Sequence, residues 1–130
     1  MINYVKNADL THSDEIAIIG NELGLGELLT QLAEEASELS KAALKYRRTI
    51  TPGASPTPMD PQEALDNLAE ELTDVDICAS CVEKAMPSED AMAMRRACGD
   101  YYAYKLDRWV KRIRRRMNHE GKASGNARRD

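Results

Sequence analysis

The chain has 130 residues and a net charge of −4, with no Phe, one Trp and three Cys. That length supports one domain with a core, small enough to gain from oligomerisation. The first ten residues carry no basic segment followed by an apolar run, and no apolar stretch approaches a membrane span, which excludes a signal peptide and a membrane-spanning protein from the reading.

Taken in chain order, residues 1–12 read as irregular. Ser13 followed by Asp14 and Glu15 predicts a helix start, with Ile16, Ile18 and Ile19 as its apolar patch and an end near Gly20 or Gly24. A long helix follows from about Gly26 to Arg48. Its stripe is Leu25, Leu28, Leu32, Leu39, Ala42 or Ala43, and Tyr46. Thr49 to Pro58 holds three Pro and a Gly and reads as a linker. Asp60 then fits an N-cap, Pro61 the first helical position, and Glu63 the return half of a capping box. That helix runs to about Met86 on Leu65, Leu68, Leu72, Val75, Ala79, Val82 and Met86, and Pro87 ends it. Ser88 caps the last helix, with Glu89 and Asp90 in its first turn. Its stripe passes through Met92, Cys98, Tyr102, Leu106, Trp109 and Ile113 to about Met117. Residues 118–130 are polar and read as a basic, disordered tail. No segment alternates like a strand. The expected fold is therefore all-α: a helical bundle of three long helices plus a short N-terminal helix, forming one domain over residues 1–117.

Two acidic phrases carry the chemistry. Glu34-Glu35-Ala36-Ser37-Glu38 and Glu71-Leu72-Thr73-Asp74 each place carboxylates three residues apart, side by side on a helix. At about 100° per residue, Glu35 falls roughly 50° from the centre of the Leu28–Leu32–Leu39 stripe. Glu38 lies further round on the same side and Glu34 beyond it. Glu71 borders the Leu68–Leu72–Val75 stripe, Asp74 lies beside it, and Asn67 continues the line one turn earlier. A carboxylate against an apolar stripe is costly unless a cation binds it. Either phrase alone is commonly a solvated helix face; two of them on consecutive helices suit a hard divalent cation, Mg²⁺ or Mn²⁺. No His stands at the spacing a di-iron bundle needs.

The phrases QLAEEASELSKAALKYRR (31–48) and NLAEELTDVDI (67–77) resemble the MazG-like, all-α nucleoside triphosphate pyrophosphohydrolase family. Lys105 followed seven residues on by Arg112 is a third match, and the resemblance spans about residues 22–116. It implies Mg²⁺-dependent hydrolysis of a (deoxy)nucleoside triphosphate to the monophosphate and pyrophosphate. It also implies a homodimer or homotetramer, with four-helix-bundle packing on dimerisation. The family's metal ligands map onto Glu35, Glu38, Glu71 and Asp74. Glu34 matches the first acid of the motif, and Glu34, Glu35 and Glu38 are the catalytic candidates. Lys45, two turns beyond Glu38, and Lys105 and Arg112 are the candidates for holding phosphates. Where relatives carry an Asn four residues after the Lys, this chain has Trp109.

The remaining features read more plainly. Cys78, Cys81 and Cys98 lack the partners of a zinc site and read as buried, reduced thiols, which with the absence of a leader suggests the cytoplasm. Tyr101, Tyr102 and Tyr104 suggest core or subunit-interface packing. Residues 1–104 carry 8 Lys/Arg and 19 Asp/Glu, whereas residues 105–130 carry 10 and 3. An acidic body ending in a basic helix leaves an alternative open: a nucleic-acid-binding or structural helical protein without catalysis.

Overall fold

The computed structural model of the protein describes residues 10–51, 53 and 59–126. It consists of three helices, α1 (His12–Ile50), α2 (Pro61–Ala85) and α3 (Ser88–Asn126), with no strand among the described residues. The chain is thus all-α, as its composition and periodicity require. It divides into two compact units, residues 1–87 and residues 88–130. None of the described helices is long and apolar enough to cross a membrane.

The first unit is built on α1 and α2. Thr11, not Ser13, caps α1: its hydroxyl accepts from the Asp14 N–H at 3.1 Å, and its own N–H donates to the Asp14 carboxylate at 2.8 Å. This reciprocal capping box needs an acid three residues after the cap, which Asp14 supplies to Thr11. Residues 12–23 form a short helical segment at the start of α1, which ends at Gly24, one of the two expected limits. Residues 25–50 follow beyond a kink at Gly24, whose φ of 76° and ψ of 162° are not helical and set the two segments of α1 apart. Only glycine adopts that backbone region readily. Gly20 has a different role: it is buried, and a Cβ built there would sit 3.3 Å from the Cys81 carbonyl oxygen. Its missing side chain lets α1 and α2 approach closely.

α1 runs to Ile50, and the Thr51 N–H donates to the Arg47 carbonyl at 2.9 Å. Most of the expected linker, residues 52 and 54–58, lies outside the described residues. α2 begins at the N-cap and the proline its sequence predicts, while the return bond of Glu63 to the Asp60 N–H, expected of a capping box, is not among the bonds of the described residues. Asp60 accepts from the Gln62 and Glu63 N–H groups at 2.9 and 3.3 Å, and Pro61 opens the helix. α2 ends one residue before Met86, the expected limit, with Met86 as its C-cap.

The core of this unit centres on Leu28, Cys81 and Val82, with Ile16, Leu25, Leu32, Ala85 and Met86 packed around them. Ala42 and Ala64 are also fully buried, whereas Ala43 is exposed. On α2 the inward face differs from the expected stripe. Leu65, Leu72 and Ala79 are exposed, and the residues turned inward are Ala64, Leu68, Glu71, Val75, Cys78, Cys81, Val82 and Ala85. Small side chains explain the shift: Ala64, Cys78, Cys81 and Ala85 allow an approach that a row of leucines would block.

α3 forms the second unit. It continues to Asn126, past the end expected near Met117. No proline interrupts residues 118–126, so the helical hydrogen-bond ladder has no obligatory stop there. Residues 127–130 lie outside the described residues.

Candidate metal centre

Glu35 sits on the inward stripe of α1, between the Leu28–Leu32 turns and Leu39–Ala42. Glu71 and Asp74 sit on the inward face of α2, one turn apart. All three are half-buried, and one carboxylate oxygen from each lies within 4.8 Å of the others. Each glutamate is held by an amide one turn before it. The Gln31 Nε2 donates to Glu35 at 2.5 Å, and the Asn67 Nδ2 donates to Glu71 at 3.1 Å. The two helices therefore present matching pairs, an amide followed four residues later by a carboxylate. Asn67 extends the acidic line already visible in the sequence, but the part played by Gln31 was missed there. Its signal was the same i, i+4 amide–carboxylate spacing.

Three like charges at this separation repel and raise the free energy of the fold. A divalent cation, if bound, would reverse that sign, since oxygen ligands suit Mg²⁺ and Mn²⁺. The donor set is all oxygen, and a hard cation fits it. The Cys78 thiol is close enough to feel the same charges. Burial pushes its pKa up first, and Glu35, Cys81 and Asp74 push it further. Burial also raises the Cys81 thiol.

The other acids predicted from the motif lie outside the cluster. Glu34 is exposed. Glu38 is exposed too, and its carboxylate accepts from the Lys41 ammonium at 3.0 Å. Both partners of that pair are more than half exposed, so it contributes about 0–1 kcal/mol and does not lock Glu38 in place. Lys45 lines a groove of about 880 Å³ together with Asn67, Glu70, Thr73 and Asp74. The structure thus brings one predicted cation and one predicted metal ligand to the same opening.

On the second unit, Lys105 and Arg112 share a smaller groove of about 300 Å³ with Arg108 and Trp109. Tyr104, Arg108, Lys111, Arg112 and Arg115 line another, and Lys111 is paired there with Asp107 at 2.7 Å. Of the three cysteines only Cys81 is buried; Cys78 is half-buried and Cys98 is exposed, which corrects the expectation that all three would be enclosed. The tyrosines expected to pack are exposed in this chain, as is Trp109. Compared with known proteins, the chain has no significant match among protein-family models, curated proteins or solved structures.

Proposed function

We propose that this protein hydrolyses a (deoxy)nucleoside triphosphate to the monophosphate and pyrophosphate, with Mg²⁺ as cofactor and Mn²⁺ as its substitute. The observation that carries the reading is the meeting of Glu35, Glu71 and Asp74 across the α1–α2 contact. The residue pattern around them supplies the rest, since it is the one that resembles the MazG-like pyrophosphohydrolases. Glu35, Glu71 and Asp74 would hold the cation, and Glu38 would join as a fourth ligand once released from its weak pair with Lys41. When bound, the cation supplies a lowered pKa for a coordinated water and charge neutralisation for phosphate oxygens.

The chain's own residues do the remaining work. Gln31 and Asn67 fix the rotamers of the two glutamates, so the ligand set is preorganised. Glu34, next to Glu35 on α1, is the residue we assign to positioning water. Lys45 attracts the triphosphate into the groove it shares with Asp74, and Lys105 and Arg112 are assigned to the phosphates as well. In the reaction water adds to phosphorus, gives up its protons and the Pα–O–Pβ bridge breaks: attack at Pα expels pyrophosphate with the bridging oxygen, whereas attack at Pβ expels the monophosphate with it and leaves the water oxygen on pyrophosphate. A homodimer or homotetramer in the cytoplasm completes the proposal.

The test is a panel of NTPs and dNTPs with Mg²⁺, scoring pyrophosphate against orthophosphate. The expected result is pyrophosphate release that Glu71→Gln lowers at least about 100-fold, the loss typical of removing a group that the transition state needs. Inert substrates, or orthophosphate alone, would defeat the proposal. A second reading rests on the basic face of α3, where Arg108, Lys111, Arg112 and Arg115 line one groove beside Tyr104. Duplex or single-stranded DNA binding with a steep salt slope and no nucleotide effect would favour a nucleic-acid binder instead.

A further inference from the structure

The groove beside the metal centre is longer than a triphosphate needs, and its far end differs chemically from its near one. All of its lining belongs to the first unit. Two contacts fix how α1 and α2 run past each other. Gly20 faces Cys81 and Lys84, and Glu35 meets Glu71 and Asp74. Moving forward along α1 is therefore moving back along α2. Lys45, ten residues beyond Glu35, lies about 15 Å further along α1. That puts it level with the first turns of α2 rather than with Asp74. Glu63 and Asp66, which line the same groove, stand on those turns. Asp66 is eight residues from Asp74, about 12 Å along the helix. This is the reach from a nucleotide's phosphates to the far edge of its base.

The two ends offer different partners. At the Asp74 end the groove adjoins the carboxylates that would hold the cation. At the other end the Lys45 ammonium only donates hydrogen bonds, and the carboxylates of Asp66 and Glu63 only accept them. Met59 lines the groove too and offers an apolar surface to a flat ring. Asp66 is held in place, because the Gln62 Nε2 donates to one of its oxygens at 2.9 Å. A carboxylate has about four lone-pair sites, so acceptor capacity remains for a ligand.

Bases differ in what they show to such a pair. Guanine carries a carbonyl, O6, beside two adjacent donors, N1–H and N2–H. Those groups match one ammonium and one carboxylate in order. Adenine turns the N1 lone pair toward the carboxylate and has no carbonyl for the lysine. Cytosine has one donor, N4–H, next to the N3 lone pair. Uracil and thymine set N3–H between two carbonyls, one of which would face the carboxylate. We propose that Lys45 and Asp66 read the base at the far end of this groove, and that the base they select is guanine. Lys45 donates to O6, and Asp66 accepts from N1 and N2. The inference rests on the groove being a nucleotide site, and it gives Lys45 a task beyond drawing in the triphosphate. A lysine serving the phosphates alone would favour no base.

The experiment is calorimetric titration of the full chain, in Mg²⁺ buffer, with the deoxynucleoside monophosphates of guanine, adenine and xanthine. Binding is read without turnover. The guanine nucleotide should bind at least about 10-fold more tightly than the adenine one, the discrimination of one good two-bond base contact. Asp66→Asn should reverse the preference between guanine and xanthine, because the amide donates to the xanthine O2 that a carboxylate repels. Lys45→Met should weaken the guanine nucleotide more than the adenine one. No binding, equal binding of guanine and adenine, or an Asp66→Asn variant that weakens all three alike overturns the proposal. Pyrophosphate release from the matching triphosphates is scored separately. A guanine preference in binding with no hydrolysis would sink the hydrolase reading and leave this one standing; hydrolysis with no base preference in binding would do the reverse.

Discussion

A half-buried carboxylate at the edge of the core is a liability that a partner resolves, and Glu35 has three neighbours that bear on it. Gln31 donates to it, while Glu71 and Asp74 confront it with like charge. In metal-free buffer, Glu35→Gln should therefore raise the melting temperature, because it removes repulsion and keeps the shape. If the proposed cation binds there, Mg²⁺ or Mn²⁺ should raise the melting temperature of the wild-type protein, and the same substitution should abolish that rise. Differential scanning calorimetry with and without the ion reads both effects; a variant that loses stability in metal-free buffer would contradict the repulsion. The cysteines make a second case. Cys98 is exposed and should react first with an alkylating reagent, Cys78 slowly, and Cys81 only on unfolding. Raised thiol pKa values mean that the folded state favours the protonated form. That contribution is intact below the ordinary thiol value of 9.0 and is lost as pH rises through the higher folded values. Alkaline unfolding should accordingly move to higher pH in Cys78→Ala.

Two glycines in one helix do opposite things at the scale of the element. Gly24 is needed for its backbone: φ of 76° with ψ of 162° is a conformation side chains do not adopt cheaply. Gly24→Ala should cost about 1–3 kcal/mol by urea unfolding, although a Cβ there meets open space. Gly20 is needed for its size. Gly20→Leu must displace the Cys81 backbone or Lys84 and should cost a similar amount through overpacking. The sequence showed both as candidate helix ends, since glycine breaks helices locally. Which one bends the chain and which admits a neighbour depends on where α2 lies, and periodicity does not contain that. The start of α2 was legible to the residue, because Asp60 and Pro61 act only on the turn they begin.

At the scale of the molecule, the core of the first unit is thin among the described residues. Leu28 is 1% exposed at its centre, and few large side chains join it. Leu28→Ala should therefore cost about 2–5 kcal/mol, enough to populate the unfolded state at ambient temperature in a domain of ordinary stability. Thermal melting followed by circular dichroism would show it as a lowered, less cooperative transition.

Local rules determined much of this protein from its sequence: three long helices, the cap of α2, the break at Pro87, and Glu35, Glu38, Glu71 and Asp74 as acids near the edge of an apolar stripe. These follow from spacing and side-chain type, which act within one or two turns. The packing of α1 on α2 decided the rest. It chose the small-residue face of α2 over its leucine face, because close approach is gained by removing volume rather than by adding hydrophobicity. That choice left Leu72 outward with Glu71 inward, brought Glu35, Glu71 and Asp74 of the four acids together, and left Glu38 at the surface beside Lys41. A helical stripe has two edges of similar hydrophobicity, and only a second helix can select between them.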